Sequence, residues 1–207
     1  MTSILTRLKT LLGATPSLQS FEKIGIVTEG DDFTSDKILL QYLSDNPINR
    51  YVSEPDAWAS AEIGSNQQYR FDFTLVYLGF NGPKRWLVAN GLLYSDSDAL
   101  IVVFDPLNPW VLDSLRLCLE LSAKGAVNSK PNDFYPTVKK GIPWLVLANF
   151  KEEPLDEEKA REQVKVLKLD TLDVDWHLHA VSTASGAGID DAASVLRKKL
   201  DEPGSKW

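Results

Sequence analysis

Cysteine is almost absent from this chain. The single Cys118 excludes a disulfide framework and a Cys-based zinc site, and it fits a reducing compartment. No apolar run approaches the ~20 residues needed to span a bilayer. The N-terminus lacks the continuous apolar stretch and small-residue cleavage site of a signal peptide. A cytoplasmic protein is therefore expected. Basic runs are missing too, and the net charge is −7, which argues against nucleic acid as a partner. There is no internal repeat and no low-complexity tract. What is present is 207 residues, 43% of them hydrophobic, enough for one medium domain with a sizeable core.

Near the start, Ile4, Leu5, Leu8, Leu11 and Leu12 follow the spacing of one helical face, with Arg7 and Lys9 on the other. Gly13 and Pro16 end that helix. So short a helix is marginal alone, and it is expected to lie either on its own domain or, as a peripheral contact, on an anionic membrane surface. Residues 1–16 are read as this helix and a linker, 17–200 as the main domain and 201–207 as a flexible tail.

Within the domain, Lys23–Thr28 reads as a strand and Ser35–Ser44 as a helix, with Asp45–Pro55 as a loop between them and the next arm. Ala57–Ile63 and Gln68–Leu78 read as an antiparallel hairpin about the turn Gly64-Ser65-Asn66-Gln67. Gly79–Gly82 is a tight loop and Lys84–Ser95 an irregular helix. Ala99–Phe104, Pro143–Ala148 and Trp176–Val181 are further strands; the first two are continuous apolar runs that suit parallel strands covered on both faces. Helices are expected at Trp110–Ala123, Asp156–Leu167 and Ile189–Leu200, and a surface loop at Lys124–Gly141. The order implies a three-layer α/β/α fold: a six-stranded, mostly parallel sheet with one antiparallel hairpin strand. Ligands of such sheets bind at the carboxyl ends of the strands.

The stretch Lys23–Leu43, KIGIVTEGDDFTSDKILLQYL, has the strand–loop–helix order of a phosphate-binding loop. Such a loop cradles phosphates with backbone N–H groups at a helix N-terminus and ends in Gly-Lys-Ser/Thr. Here Gly30 is followed by Asp31, Asp32, Phe33, Thr34, Ser35, Asp36 and Lys37. The acids also suit simple capping of the helix N-terminus, where negative charge is stabilising. Asp31–Asp32 is similar as well to the acidic pair of a receiver domain, but Val76-Tyr77-Leu78-Gly79 offers no phosphoacceptor aspartate.

Five further stretches carry a resemblance: SILTRLKTLLG at the N-terminus, FTLVYLGFN at Phe73–Asn81, ALIVVFDPLNPW, LVLANFKEEPL and VSTASGAGI. In this order and spacing the chain resembles an Arf-family small GTPase from residue 3 to about 200. The resemblance implies the small-GTPase fold, a membrane-sensing N-terminal helix and a guanine-nucleotide site. The departures fall on that site. Aligned on Gly30, the family's second glycine is Ser35, its lysine is Asp36 and its Mg²⁺-binding hydroxyl residue is Lys37. The Mg²⁺-holding Asp is Tyr77, the γ-phosphate-sensing Gly is Phe80 and the water-positioning Gln is Asn81. In the base-reading motif Asn149 remains, while Phe150 replaces Lys and Glu152 replaces Asp. Phe150 is expected to stack on a purine, with Ser182, Thr183 and Ala184 lining the base. Gly30, Ser35, Asp36, Lys37, Asn149, Phe150, Glu152, Ser182, Thr183 and Ala184 thus mark a degenerate nucleotide site, without catalytic or metal-binding residues. The resemblance to a GTPase so altered implies a pseudo-GTPase: no cofactor, no hydrolysis, and a protein partner bound through Asp45–Asp56 and Gly79–Ser95 in membrane traffic. The alternative is a divergent Arf-family protein that still binds GTP or GDP with Mg²⁺. Family myristoylation needs Gly after the initiator Met, and here Thr2 stands there.

Three smaller expectations remain. His177 and His179 are expected to face opposite sides of one strand and so not to share a metal. Cys118 is expected in the core. Trp58, Trp86 and Trp110 lie in or near the surfaces through which the family meets effectors, and exposure there would mark an interface.

Overall fold

The structure is a computed structural model, and it describes residues 21–28, 33–54, 57–78, 94–124, 137–151, 154–202 and 207. Its frame is a seven-stranded sheet in the order β2-β3-β4-β1-β5-β6-β7. The strands are β1 Glu22–Thr28, β2 Ile48–Glu54, β3 Ala57–Asn66, β4 Phe71–Leu78, β5 Ala99–Phe104, β6 Pro143–Asn149 and β7 Asp175–Val181. β1 pairs in parallel with β4 and β5, and β5–β6 and β6–β7 are also parallel. β3 is antiparallel to both β2 and β4, so it alone runs against the rest.

Among the described residues, two helices cover each face. α1 Phe33–Leu43 and α4 Ile189–Asp201 share one side; α2 Leu112–Lys124 and α3 Glu157–Val164 share the other. The period-2 alternation of strands divides the core accordingly. Ile101, Val103, Leu145 and Leu147 turn toward Leu39, Leu40, Leu43 and Leu196. Leu100, Val102, Phe104, Trp144, Val146 and Ala148 turn toward Leu112, Leu115, Leu119 and Val164. Every residue of β5 and β6 is buried, as a parallel strand covered on both faces requires. Cys118 lies in the core, on the buried face of α2.

Close approaches explain two glycines. At Gly25 a Cβ would stand 2.7 Å from the Tyr94 ring, and that ring's hydroxyl donates to the Ile26 carbonyl at 3.0 Å. At Gly64 a Cβ would collide with the Ser44 side chain, so this glycine lets the end of α1 sit against β3.

The expected three-layer α/β/α fold, a mostly parallel sheet with one antiparallel hairpin strand, holds, with three local corrections. The sheet has seven strands rather than six, because Ile48–Glu54, expected within a loop, pairs with β3 over seven residues. Its two flanking prolines, Pro47 and Pro55, bound the strand instead of breaking it. The hairpin turn lies later than expected, at residues 67–70. Asn66 fixes it: its Oδ1 accepts from the Tyr69 amide, and its Nδ2 donates to the Leu43 carbonyl, both at 2.9 Å. Arg70 then takes a left-handed φ of 57°. The helix expected from Trp110 opens as a 3-10 turn, Pro109–Val111, before α2 proper. Of the helix expected at Lys84–Ser95, only the 3-10 turn Tyr94–Asp96 falls within the described residues. The N-terminal helix, Gly30, Glu152, Phe80, Asn81 and residues 125–136 lie outside them.

Candidate functional site

The carboxyl ends of β1, β5, β6 and β7 converge at one end of the sheet, where sequence reasoning placed the site. Thr28 closes β1 and α1 begins at Phe33. Asp36 therefore stands in the first turn of α1. The Thr28 Oγ1 donates to its Oδ2 at 2.7 Å, and both residues are only 8% exposed. The carboxylate thus lies at the positive end of the helix and accepts a charge-assisted hydrogen bond. Lys37 turns the other way, and its Nζ lies 3.3 Å from the Glu62 Oε1 on β3. Ser35 is half-buried.

The loops after β5, β6 and β7 are tied together by polar contacts. Asp105 shapes the first: its Oδ1 accepts from the Leu107 amide at 2.8 Å, and its carbonyl accepts from the Asn108 amide at 3.1 Å. Its Oδ2 lies 3.5 Å from the Lys151 Nζ in the next loop. Asn149 joins that loop to the last, its Oδ1 accepting from the Thr183 amide at 3.1 Å. The last loop folds on itself, with Ser182 N donating to the Ala187 carbonyl and Gly186 N donating to the Ser182 carbonyl. Gly186 and Gly188 take positive φ of 80° and 74°, and Tyr42 of α1 packs over Gly186. Ser182 and Thr183 are buried and Ala184 is exposed. The Ser182 Oγ has no hydrogen-bond partner among the described residues.

Phe150 requires a correction. It is 2% exposed and belongs to the core beneath α2 and α3, so its ring offers no face to a base. Its amide donates to the Val181 carbonyl at 2.8 Å, which carries the β6 ladder one residue further. The strand period then puts Phe150 on the same face as Trp144, Val146 and Ala148. The histidine expectation is also wrong. Residues two apart share a face: Trp176, Leu178 and Ala180 pack toward α2 and α3, leaving His177 and His179 together on the α4 side. Burial, then the neighbouring His179 and Arg161, push the His177 imidazole below its ordinary pKa of 6.5. Its ring stacks on Trp207 at 5.1 Å.

Thr28 and Lys151 are not among the residues expected at the site, though both lie inside stretches that the sequence marks out. A hydroxyl at a strand end eight residues before an acid, and a lysine two residues after Asn149, were the available signals. Among the three tryptophans proposed for an interface, Trp110 is 90% exposed, with Leu107 beside it at 56%.

No protein-family model matches the chain, and no curated protein does. Among solved structures, two that are similar are the cytosolic domain of the T. maritima FeoB iron transporter in GDP form I and in GDP form II. Their TM-scores are 0.54 and 0.53, each with 14% identity. The alignments cover 88% and 90% of this chain but 64% and 66% of those chains, so this chain spans just under two thirds of their length. At this identity the likeness is one of fold: a small-GTPase-like domain.

Proposed function

We propose that this chain is an Arf-like pseudo-GTPase, a small-GTPase-like domain that works as a non-catalytic protein-interaction scaffold in membrane traffic. The observation that carries the reading is the hydrogen bond from Thr28, at the end of β1, to Asp36 in the first turn of α1. The family's mode of binding needs a cation there for the β- and γ-phosphates. A unit charge pair 4 Å apart interacts at about 4 kcal/mol for an effective dielectric near 20. Exchanging attraction for repulsion at that position removes more than tight binding can spare, since each 1.4 kcal/mol is tenfold. Lys37, at the Mg²⁺-binding position, is held by Glu62. These residues do not fit a Mg²⁺–triphosphate, and no hydrolytic step is assigned to them.

Two further features support a scaffold. β2 falls in the Asp45–Asp56 surface and is paired with β3 over its whole length, as suits a fixed interface. Trp110 and Leu107 expose apolar area of the kind that anchors protein partners. No helix among the described residues is long and apolar enough to cross a membrane. The proposed peripheral contact through Ile4, Leu5, Leu8, Leu11 and Leu12 rests on the sequence pattern.

A second reading, retained GTP or GDP binding with Mg²⁺, is favoured by Asn149, which still braces Thr183 as a base-reading loop would need. Denaturing the purified protein and chromatographing the supernatant for guanine nucleotide separates the two. Melting with and without Mg·GTP gives the second arm, since a ligand at 100 times its Kd stabilises by about 2.7 kcal/mol. The scaffold reading expects neither nucleotide nor shift, and either one overturns it. Flotation with liposomes before and after deletion of Met1–Leu12 tests the membrane contact; flotation that survives the deletion removes the helix from it.

A further inference from the structure

A second candidate site lies at the amino ends of β6 and β7, the opposite end of the sheet from Asp36 and Asn149. A cavity of about 390 Å³ opens there between the end of α2 and the turn before β7, within the size range of small-molecule sites. Its wall includes the buried side chains of Val138, Trp144 and Leu172. Three lysines, Lys124, Lys139 and Lys140, line it against one carboxylate, Asp173, on a chain whose net charge is −7. Lys139 is shared with Asp96 and Asp98 at 3.7 and 3.5 Å. Lys124 and Lys140 have no ion-pair partner among the described residues.

The backbone adds a second, independent cue. Leu172 is right-handed, with φ −97° and ψ −3°, and Asp173 is left-handed, with φ 55°. Successive residues in these two conformations fold their N–H groups into an anion-binding concavity. The Leu172 amide is taken by the Leu169 carbonyl at 2.9 Å. Those of Asp173 and Val174 have no acceptor among the described residues. Gly141, also in the lining, has φ 80° and, among the described residues, nothing within 4 Å of where a Cβ would stand.

We propose that this cavity binds a small amphiphilic anion. Lys124, Lys140 and the amides of Asp173 and Val174 hold an oxyanion head, a phosphate monoester or a carboxylate, while Val138, Trp144 and Leu172 receive its apolar body. The site is separate from α1 and stands whether or not a nucleotide binds at the other end of the sheet.

Titration of the full chain with octyl phosphate, below its micelle-forming concentration, tests the assignment by calorimetry and by amide NMR shifts. Saturable binding is expected, with the largest shifts at Gly141, Asp173 and Val174. Inorganic phosphate and octanol, which carry only one half of the ligand each, should bind at least about tenfold more weakly. Lys140→Glu should weaken octyl phosphate by about tenfold or more, and Asp173→Asn should tighten it. Octanoate run alongside assigns the head: equal affinity means any oxyanion, much weaker affinity means phosphate. No saturable binding of octyl phosphate or octanoate, octanol binding as tightly as either, or no effect of Lys140→Glu would overturn the proposal.

Discussion

Thr28→Val tests the contact on which the functional reading rests. Valine keeps the shape of threonine and removes its donor, so the Asp36 carboxylate loses its 2.7 Å hydrogen bond. A hydrogen bond to a charged group contributes roughly 1.5–3 kcal/mol net. With both residues 8% exposed, water cannot readily replace the hydroxyl. Asp36 has a further interaction besides Thr28, which holds the expected loss to the lower part of that range, about 1.5–2 kcal/mol. For a domain of this size each kcal/mol moves Tm by about 2–4 °C. The variant should therefore melt about 3–8 °C lower, as followed by circular dichroism, with urea unfolding giving the free energy. Asp36→Asn and the double variant complete a cycle, in which the two side chains should couple by at least about 0.5 kcal/mol. A Thr28→Val protein as stable as the parent, or a cycle with no coupling, would refute the idea that this carboxylate is fixed at the helix end.

Three other outcomes follow from the same geometry. Gly64→Ala should cost about 1–3 kcal/mol through overpacking against Ser44, and Ser44→Gly in the same chain should recover much of it; urea unfolding reads both. Phe150→Lys supplies the lysine that the sequence resemblance expects but places an ammonium in a 2%-exposed position; it should destabilise by several kcal/mol without conferring affinity for guanosine in an equilibrium dialysis. For His177, burial disfavours the charged form, so its folded pKa lies below the unfolded value near 6.5. Its contribution is then fully present above pH 6.5 and is lost as pH falls through the lower folded value; unfolding at stepped pH should show that slope flattened in His177→Gln.

The parts of the fold that were legible share a physical cause. ALIVVF and PWLVLA are continuous apolar runs, and only a strand covered on both faces makes such a run energetically sensible. Their observed bounds, Ala99–Phe104 and Pro143–Asn149, match the expected ones within a residue. β2 was illegible because INRYVSE carries no apolar alternation, lies between prolines and sits at the sheet's edge. Its identity comes from partners in β3, which a local pattern does not contain. The hairpin turn was misplaced for a similar reason. Gly64 looked like the turn residue, yet its lack of a side chain serves the approach of Ser44 from α1, a contact far away in sequence.

At the carboxyl edge of the sheet, one physical rule accounts for two misreadings. Phe150 was read by its place in a motif, as a ring free to meet a base. The alternation Trp144, Val146, Ala148 already assigned even-numbered residues to the core beneath α2 and α3. Phe150 needed only the ladder to continue one step past Asn149, as its bond to Val181 shows it does. His177 and His179 were read as neighbours that alternate, although a period of two puts them on the same face. Carried one residue beyond each strand, that period predicts which side chains at the carboxyl edge can reach a ligand. Asn149, on the odd face, turns instead to the Thr183 amide, and Lys151, two residues on, reaches Asp105. Asn149 and Lys151 thus hold the loops after β5, β6 and β7 to one another.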